Sequence, residues 1–164
     1  MSRIVVMGVS GCGKSSIGQA LAKAVGAAFL DGDDLHPASN IAKMRRGEAL
    51  NDDDRAPWLA KVGKALAADN RVIACSALKR KYRDQIRETA QAEVIFFYLR
   101  GQRETLLQRV ARRPGHFMPA SLLDSQLATF EEPLPDETHV VADIEQEPAA
   151  IVGLFLLGMK EMTP

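Results

Sequence analysis

The sequence predicts an α/β fold built on a parallel sheet, and three observations carry that reading. Short apolar runs alternate with helical patterns along the whole chain, as in successive βαβ units. Those runs are continuously apolar rather than alternating, which is how strands covered on both faces read. A glycine-rich loop joins the first run directly to the first helical pattern. With 164 residues the chain suffices for one domain, 1–164, with its own core.

The strand candidates are residues 4–7, 28–30, 72–75, 94–99 and 140–142. Between the first two, Ile17, Ala20, Leu21 and Ala24 recur at helical spacing. A second helical pattern puts Trp58, Val62, Ala65 and Leu66 on one face, and a third begins near Arg103 with Leu106, Leu107 and Val110 inward. A last helix starts at Pro148, a residue suited to the first helical position. The apolar stretch 151–157 within it serves equally as core or as a dimer contact. Two stretches fit neither strand nor crossover helix. Residues 31–55 are polar and include three consecutive aspartates, and residues 112–135 are broken by Pro114, Gly115, Pro119, Pro133 and Pro135. Long connections in compact domains are usually binding loops or lids. A substrate-binding segment at about 31–59 and a mobile lid at about 112–135 are therefore expected.

Composition narrows the function. Lys+Arg and Asp+Glu both number 21, so the basic excess of a dedicated nucleic-acid binder is missing. Cys12 and Cys75 stand far apart with no CxxC pair, which argues against a disulfide scaffold or a zinc site. The longest apolar run, 149–159, falls short of the ~20 residues a bilayer span needs, and no signal-peptide pattern precedes the first strand. A cytoplasmic enzyme is expected.

The strongest motif is Gly8-Val9-Ser10-Gly11-Cys12-Gly13-Lys14-Ser15, which fits GxxxxGK[ST] between a strand and a helix. Glycines let the backbone wrap phosphate oxygens, and the amides converge at the positive end of a helix. Lys14 then reaches the β- and γ-phosphates and the Ser15 hydroxyl suits Mg²⁺. Gly8, Val9, Ser10, Gly11, Cys12, Gly13, Lys14, Ser15 and Ser16 form the expected ATP-binding set. The run 72–75 ends in Ser76 rather than in the acid usual for motor ATPases, whereas the run 28–30 ends in Asp31-Gly32-Asp33. Paired carboxylates at a strand's carboxyl end suit metal positioning and acceptance of a hydroxyl proton. Asp-Gly-Asp is equally a fair sequence for a solvated turn.

Beyond the loop, Asp31-Gly32-Asp33-Asp34-Leu35-His36-Pro37, then Asn40, Lys43-Met44, Gly47 and Leu50-Asn51-Asp52-Asp53-Asp54-Arg55-Ala56-Pro57-Trp58-Leu59 follow. With Cys75-Ser76-Ala77-Leu78-Lys79, Tyr82-Arg83-Asp84 and Gly115-His116-Phe117, nearly the whole chain resembles the bacterial gluconate kinases, relatives of shikimate kinases. The resemblance implies an adenylate-kinase-like P-loop NTPase fold, a five-stranded parallel sheet flanked by helices with a mobile lid. It also implies phosphorylation of D-gluconate on its 6-hydroxyl by ATP and Mg²⁺, and a homodimer. Asp33 resembles the catalytic base and Asp31 an outer partner of Mg²⁺ beside Ser15. Arg55 stands where related kinases hold the acceptor's carboxylate, a task that suits a bidentate guanidinium. Ser76, Lys79, His36 and Arg83 are the further acceptor-binding candidates. Arg109 and Arg113, at the base of the lid, resemble the arginines that meet adenine and phosphates, with Arg113 catalytic alongside Lys14 and Asp33. The loop 143–148 resembles the adenine-contacting loop.

Two positions depart from the family pattern: Ala49 replaces an expected proline, and Cys12 stands where serine is usual. Cys12 is expected to be a reactive thiol with its side chain turned from the phosphates. Trp58 and Phe96-Phe97-Tyr98 read as core. At least one of Asp52, Asp53 and Asp54 reads as a helix cap. Two other functions stay open on the residues. One is a kinase for shikimate, a nucleoside monophosphate or another sugar acid; the other is an ATP-dependent switch with a protein partner.

Overall fold

A computed structural model describes residues 2–68, 70–112 and 119–162. Five strands, β1 (Arg3–Met7), β2 (Ala28–Asp31), β3 (Arg71–Ala74), β4 (Ile95–Arg100) and β5 (His139–Asp143), form one sheet in the order β2-β3-β1-β4-β5. Every pairing is parallel; Val5 sits between Ile73 of β3 and Phe96 of β4. All five expected strands are present, each within a residue or two of its expected bounds. Ile4, Val5, Val6 and Met7 are all fully buried. Successive strand side chains point to opposite faces, so the sheet is covered on both.

The helices are α1 (Lys14–Val25), α2 (Ala38–Arg45), α3 (Asp52–Ala67), α4 (Arg80–Ala90), α5 (Arg103–Ala111), α6 (Ala120–Thr129) and α7 (Pro148–Met162), with a 3₁₀ turn at Gly32–Leu35. Helix α1 lies over β1, β2 and β3 and touches α7, while α3 runs along α4 and reaches β1 and β3. Helix α7 begins at Pro148 as expected, and it buries Ile151 and Phe155 while Leu157 stays 60% exposed. Phe155 stacks on Phe97 of β4 at 4.3 Å.

The expected lid stretch carries an element that the sequence reading did not foresee. Helix α6 docks through Leu122 and Leu123, and Glu131 after it donates its N–H to the Leu78 carbonyl at 2.7 Å. Leu, Asp, Ser and Gln fill α6 without a clear apolar stripe, and the surrounding prolines disguise it. Among the described residues no helix is long and apolar enough to cross a membrane.

Strand order reverses around β1, so the crevice beyond the carboxyl ends of β1 and its neighbours is where such sheets bind ligands. The glycine loop, the Asp-Gly-Asp turn and Ser76 all emerge at that edge.

Candidate active site

The site begins with an uncapped helix. Gly13 (φ +94) is the N-cap of α1 and supplies no side-chain hydrogen bond, so the amides of the first turn at Lys14, Ser15 and Ser16 lack intrahelical partners. A helix that starts this way presents donors and its positive dipole end to an anion. The Lys14 ammonium donates to the Val9 carbonyl at 3.1 Å. Ser10, Gly11, Gly13, Lys14, Ser15 and Ser16 line a cavity of about 900 Å³. Gly8, Val9 and Cys12 do not line it; Val9 and Cys12 turn their side chains into the core, at 6% and 1% exposure. The expected thiol reactivity of Cys12 is therefore opposed by burial beneath the loop. Cys75 is buried too, and its thiol is pushed up to about 12 by desolvation.

The Asp-Gly-Asp segment is a built turn. A Cβ on Gly32 would lie 2.3 Å from the Ala74 carbonyl oxygen, so only glycine lets β2 end this close to β3. Asp31 accepts the Ser15 hydroxyl at 2.9 Å through one oxygen and the Asp33 amide at 3.0 Å through the other. The Trp58 indole N–H donates to the Gly32 carbonyl at 2.7 Å, fixing the turn from the α3 side. Trp58 is 2% exposed, as its core reading requires, yet it also lines the cavity. Asp31, Asp33 and Asp34 line the cavity with Lys14, Arg55 and Arg109.

His36 follows the turn and stacks on Trp58 at 4.0 Å. Its state can be read from its partners. Asn40 Nδ2 gives one hydrogen to the Asp54 carbonyl at 2.8 Å and meets His36 Nδ1 at 3.2 Å. An amide nitrogen only donates, so Nδ1 accepts and the ring hydrogen sits on Nε2. Burial, with the Arg55 charge adding to it, lowers the His36 pKa to about 4, so the ring is neutral near pH 7.

Helix α3 starts with a capping box: Asn51 Oδ1 accepts the Asp54 amide at 2.8 Å and Asp54 Oδ2 accepts the Asn51 amide at 2.9 Å. Asp54, which also pairs with Lys43 at 2.7 Å, is thus the helix-start aspartate that the sequence reading expected. Arg55, one residue on, is 8% exposed and lines the cavity. Its Nη1 donates to the Tyr82 hydroxyl at 3.1 Å, and that hydroxyl donates to Asp52. Among the described residues Arg55 forms no ion pair. Lys81, Tyr82 and Lys79 hold the Asp52 carboxyl well below the usual range.

Two expected acceptor residues are not on the cavity wall. Arg83 is fully buried, with Nε and Nη2 on Glu137 at 2.7 and 3.2 Å and Nη1 on the Ala77 carbonyl at 2.8 Å. It is a structural cation, and Glu137 is drawn down to about 2 against its own burial by Arg83 and Arg87. Lys79 reaches Asp52 at 3.4 Å and also stays off the wall. Ser76 does line the cavity, and its carbonyl accepts the Gly8 amide at 3.3 Å. Arg109 lines it as well and donates to the Ile144 carbonyl at 2.9 Å, tying the phosphate-loop side to the loop after β5. Arg113 and His116 lie outside the described residues.

Residues to which the sequence reading gave no individual role also line the cavity: Ile41, Met44, Arg45, Glu48, Ala49, Leu50 and Leu78, together with Leu122, Ser125 and Gln126 of α6. Nothing in the local sequence of the α6 residues distinguishes them from surface helix positions.

Comparison with known proteins gives the family. The Shikimate kinase family profile matches residues 10–158. The chain is 47% identical to the thermoresistant gluconokinase of Escherichia coli K12 over 163 residues, 96% of this chain and 93% of that protein. The chain belongs to the gluconokinase family. This kinase superposes on the crystal structure of a gluconokinase from Sinorhizobium meliloti 1021 with a TM-score of 0.91 at 49% identity, covering 98% and 93% of the two chains. It shares the fold alone with a shikimate kinase from Bacteroides thetaiotaomicron, TM-score 0.70 at 15% identity over 97% and 98%. The expected fold class and enzyme class are thereby met: a five-stranded P-loop kinase.

Proposed function

We propose that this kinase transfers the γ-phosphoryl group of ATP to the 6-hydroxyl of D-gluconate, giving 6-phosphogluconate and ADP. The observation that carries the acceptor reading is Arg55, a nearly buried guanidinium on the cavity wall whose described hydrogen-bond partner is a neutral hydroxyl. A buried charge is costly unless paired, and a sugar acid supplies the missing carboxylate.

In this reading the acceptor lies between Arg55 and Asp33. His36 offers its Nε2 hydrogen and Ser76 its hydroxyl to the acceptor's hydroxyl groups. The Asp33 carboxylate takes the proton of the 6-hydroxyl while that oxygen bonds to the γ-phosphorus, and the β–γ bridging oxygen leaves on ADP with the electron pair. The amides of Lys14, Ser15 and Ser16 hold phosphate oxygens, and Lys14 exchanges the Val9 carbonyl for the β- and γ-phosphates. Asp31 and Ser15, bonded to each other at 2.9 Å, are a donor set that fits Mg²⁺. Mg²⁺ supplies charge neutralisation on the phosphates when bound. Arg109 and Arg113 add positive charge at the nucleotide, with the loop 143–148 beside adenine. The stretch 112–135 acts as a lid that keeps water from the phosphoryl group. Assembly as a homodimer and a cytoplasmic location belong to the same proposal.

The test is ADP release measured with a coupled assay in the presence of gluconate, shikimate or a nucleoside monophosphate, and with no acceptor. Gluconate alone is expected to stimulate it. Stimulation by another acceptor, or acceptor-independent hydrolysis, refutes the proposal.

A further inference from the structure

Gln126 of α6 makes a contact that no role above explains. Its Oε1 accepts the Ser10 backbone N–H at 2.8 Å, across 116 residues of sequence. Because a backbone N–H only donates, the amide orientation is fixed: oxygen toward the loop, nitrogen away from it. Covalent geometry keeps Nε2 within about 5 Å of the Ser10 amide. Among the described residues Nε2 has no hydrogen-bond partner, and no buried side-chain nitrogen or oxygen is left unpaired. The Nε2 group is therefore not sealed from solvent, and both Ser10 and Gln126 line the cavity.

The peptide that Gln126 grips is itself informative. The Val9 carbonyl takes the Lys14 ammonium at 3.1 Å and the Ser10 N–H on the same peptide group takes Gln126 at 2.8 Å. In a phosphate loop, inward N–H groups normally hold phosphate oxygens. Here the Ser10 donor is consumed by Gln126, which replaces it with two amide hydrogens farther from the loop. Gln126 thereby brings a side-chain amide to the cavity wall beside the phosphate loop. A donor polarised by a second hydrogen bond in the same amide is also a stronger one.

We propose that Gln126 is a catalytic residue: its Oε1 stays on the Ser10 amide while its Nε2 donates to an oxygen of the phosphoryl group during transfer. The proposal rests on the kinase reading above.

The test compares Gln126→Ala and Gln126→Glu with the parent protein, reading kcat, KM for gluconate and for ATP, and melting temperature. Glutamate keeps an oxygen for the Ser10 N–H but removes the donor and aims a negative charge at the phosphates. Removal of one donor to developing charge lowers kcat by about 10²–10³-fold. Both variants are expected to lose kcat on that scale, glutamate at least as much as alanine, with KM for gluconate changed less than about threefold and melting little altered. A merely structural grip on the loop gives the opposite order, with glutamate near parent activity and alanine impaired; that result overturns the proposal. So does an unchanged kcat in the alanine variant, or a loss confined to KM for gluconate. If the parent protein itself shows no gluconate-dependent ADP formation, the acceptor assignment fails instead, and the two failures are distinct.

Discussion

Replacing Arg55 with alanine probes how the acceptor's acid group is held. The alternative to a substrate contact is a surface pair with Asp52 or Asp53, worth at most ~1 kcal/mol. The structure disfavours it, because Asp52 is engaged by Lys79, Lys81 and Tyr82 and Arg55 is only 8% exposed. A charge-assisted hydrogen bond to a ligand contributes about 1.5–3 kcal/mol, which is roughly 10- to 150-fold in affinity. The variant is expected to raise KM for gluconate by that factor and to leave KM for ATP nearly unchanged, since the nucleotide end of the cavity is built by α1 and Arg109. Glucitol, which lacks the carboxylate, gives the control: the preference for gluconate over glucitol in kcat/KM should shrink by the same factor. Melting should not fall in step, because the substitution also removes a buried charge that has no ion pair among the described residues. An unchanged acid-to-alcohol ratio refutes the reasoning. Arg45, the other cation of the 31–59 segment on the wall, would then hold the carboxylate, since Lys79 and Arg83 are tied to Asp52 and Glu137.

Three further outcomes follow from the same geometry. Asp33→Asn keeps the shape of the turn but removes the base, so kcat should drop about 10²–10⁴-fold with ATP affinity preserved; near-parent turnover would reduce Asp33 to a turn residue. Arg83→Met leaves the buried Glu137 with Arg87 at 2.7 Å and a long contact to Arg80 at 3.9 Å. Breaking a buried pair costs about 3–5 kcal/mol, so urea unfolding should show a loss of that order while KM for gluconate holds; the reverse pattern would return Arg83 to the substrate. His36 is held near pKa 4, below the ~6.5 of an unfolded histidine. As pH falls through that window the unfolded chain takes up a proton that the folded one refuses, so stability is lost on acidification and is undiminished above pH 6.5. From pH 7.5 to 5 the parent should lose about 2 kcal/mol through this group, and His36→Gln should lose that much less. Parallel pH profiles of urea stability in the two proteins would contradict the assignment.

The sheet was legible because each strand is a continuous apolar run and the GxxxxGK[ST] loop fixes which edge is active. Lys14, Ser15, Asp31 and Asp33 were legible for the same reason: short-range spacing ties them to strand ends, and the turn they share is closed locally by Gly32. Arg55 was separable from its acidic neighbours only through the family resemblance, since nothing in Asp-Asp-Asp-Arg says which charge turns inward. Arg83 shows the limit in the other direction. Its helix is strongly charged, and the partner that claims it, Glu137, lies 54 residues away in a proline-flanked segment, so no local pattern announces the pair. The same holds for α6, whose helix is set by docking Leu123 into the core, and for Gln126, whose partner is 116 residues distant. Trp58 was read as core and is core, but its indole N–H also serves the site, a dual role that periodicity cannot express.

The central claim, phosphorylation of gluconate at its 6-hydroxyl, is tested most directly by following two products in one time course. ADP is measured by a coupled assay, and 6-phosphogluconate by a dehydrogenase specific for it. Equal rates of both products, dependent on gluconate, Mg²⁺ and ATP together, are the expected result. ADP without 6-phosphogluconate, or no ADP above the acceptor-free rate, would contradict it.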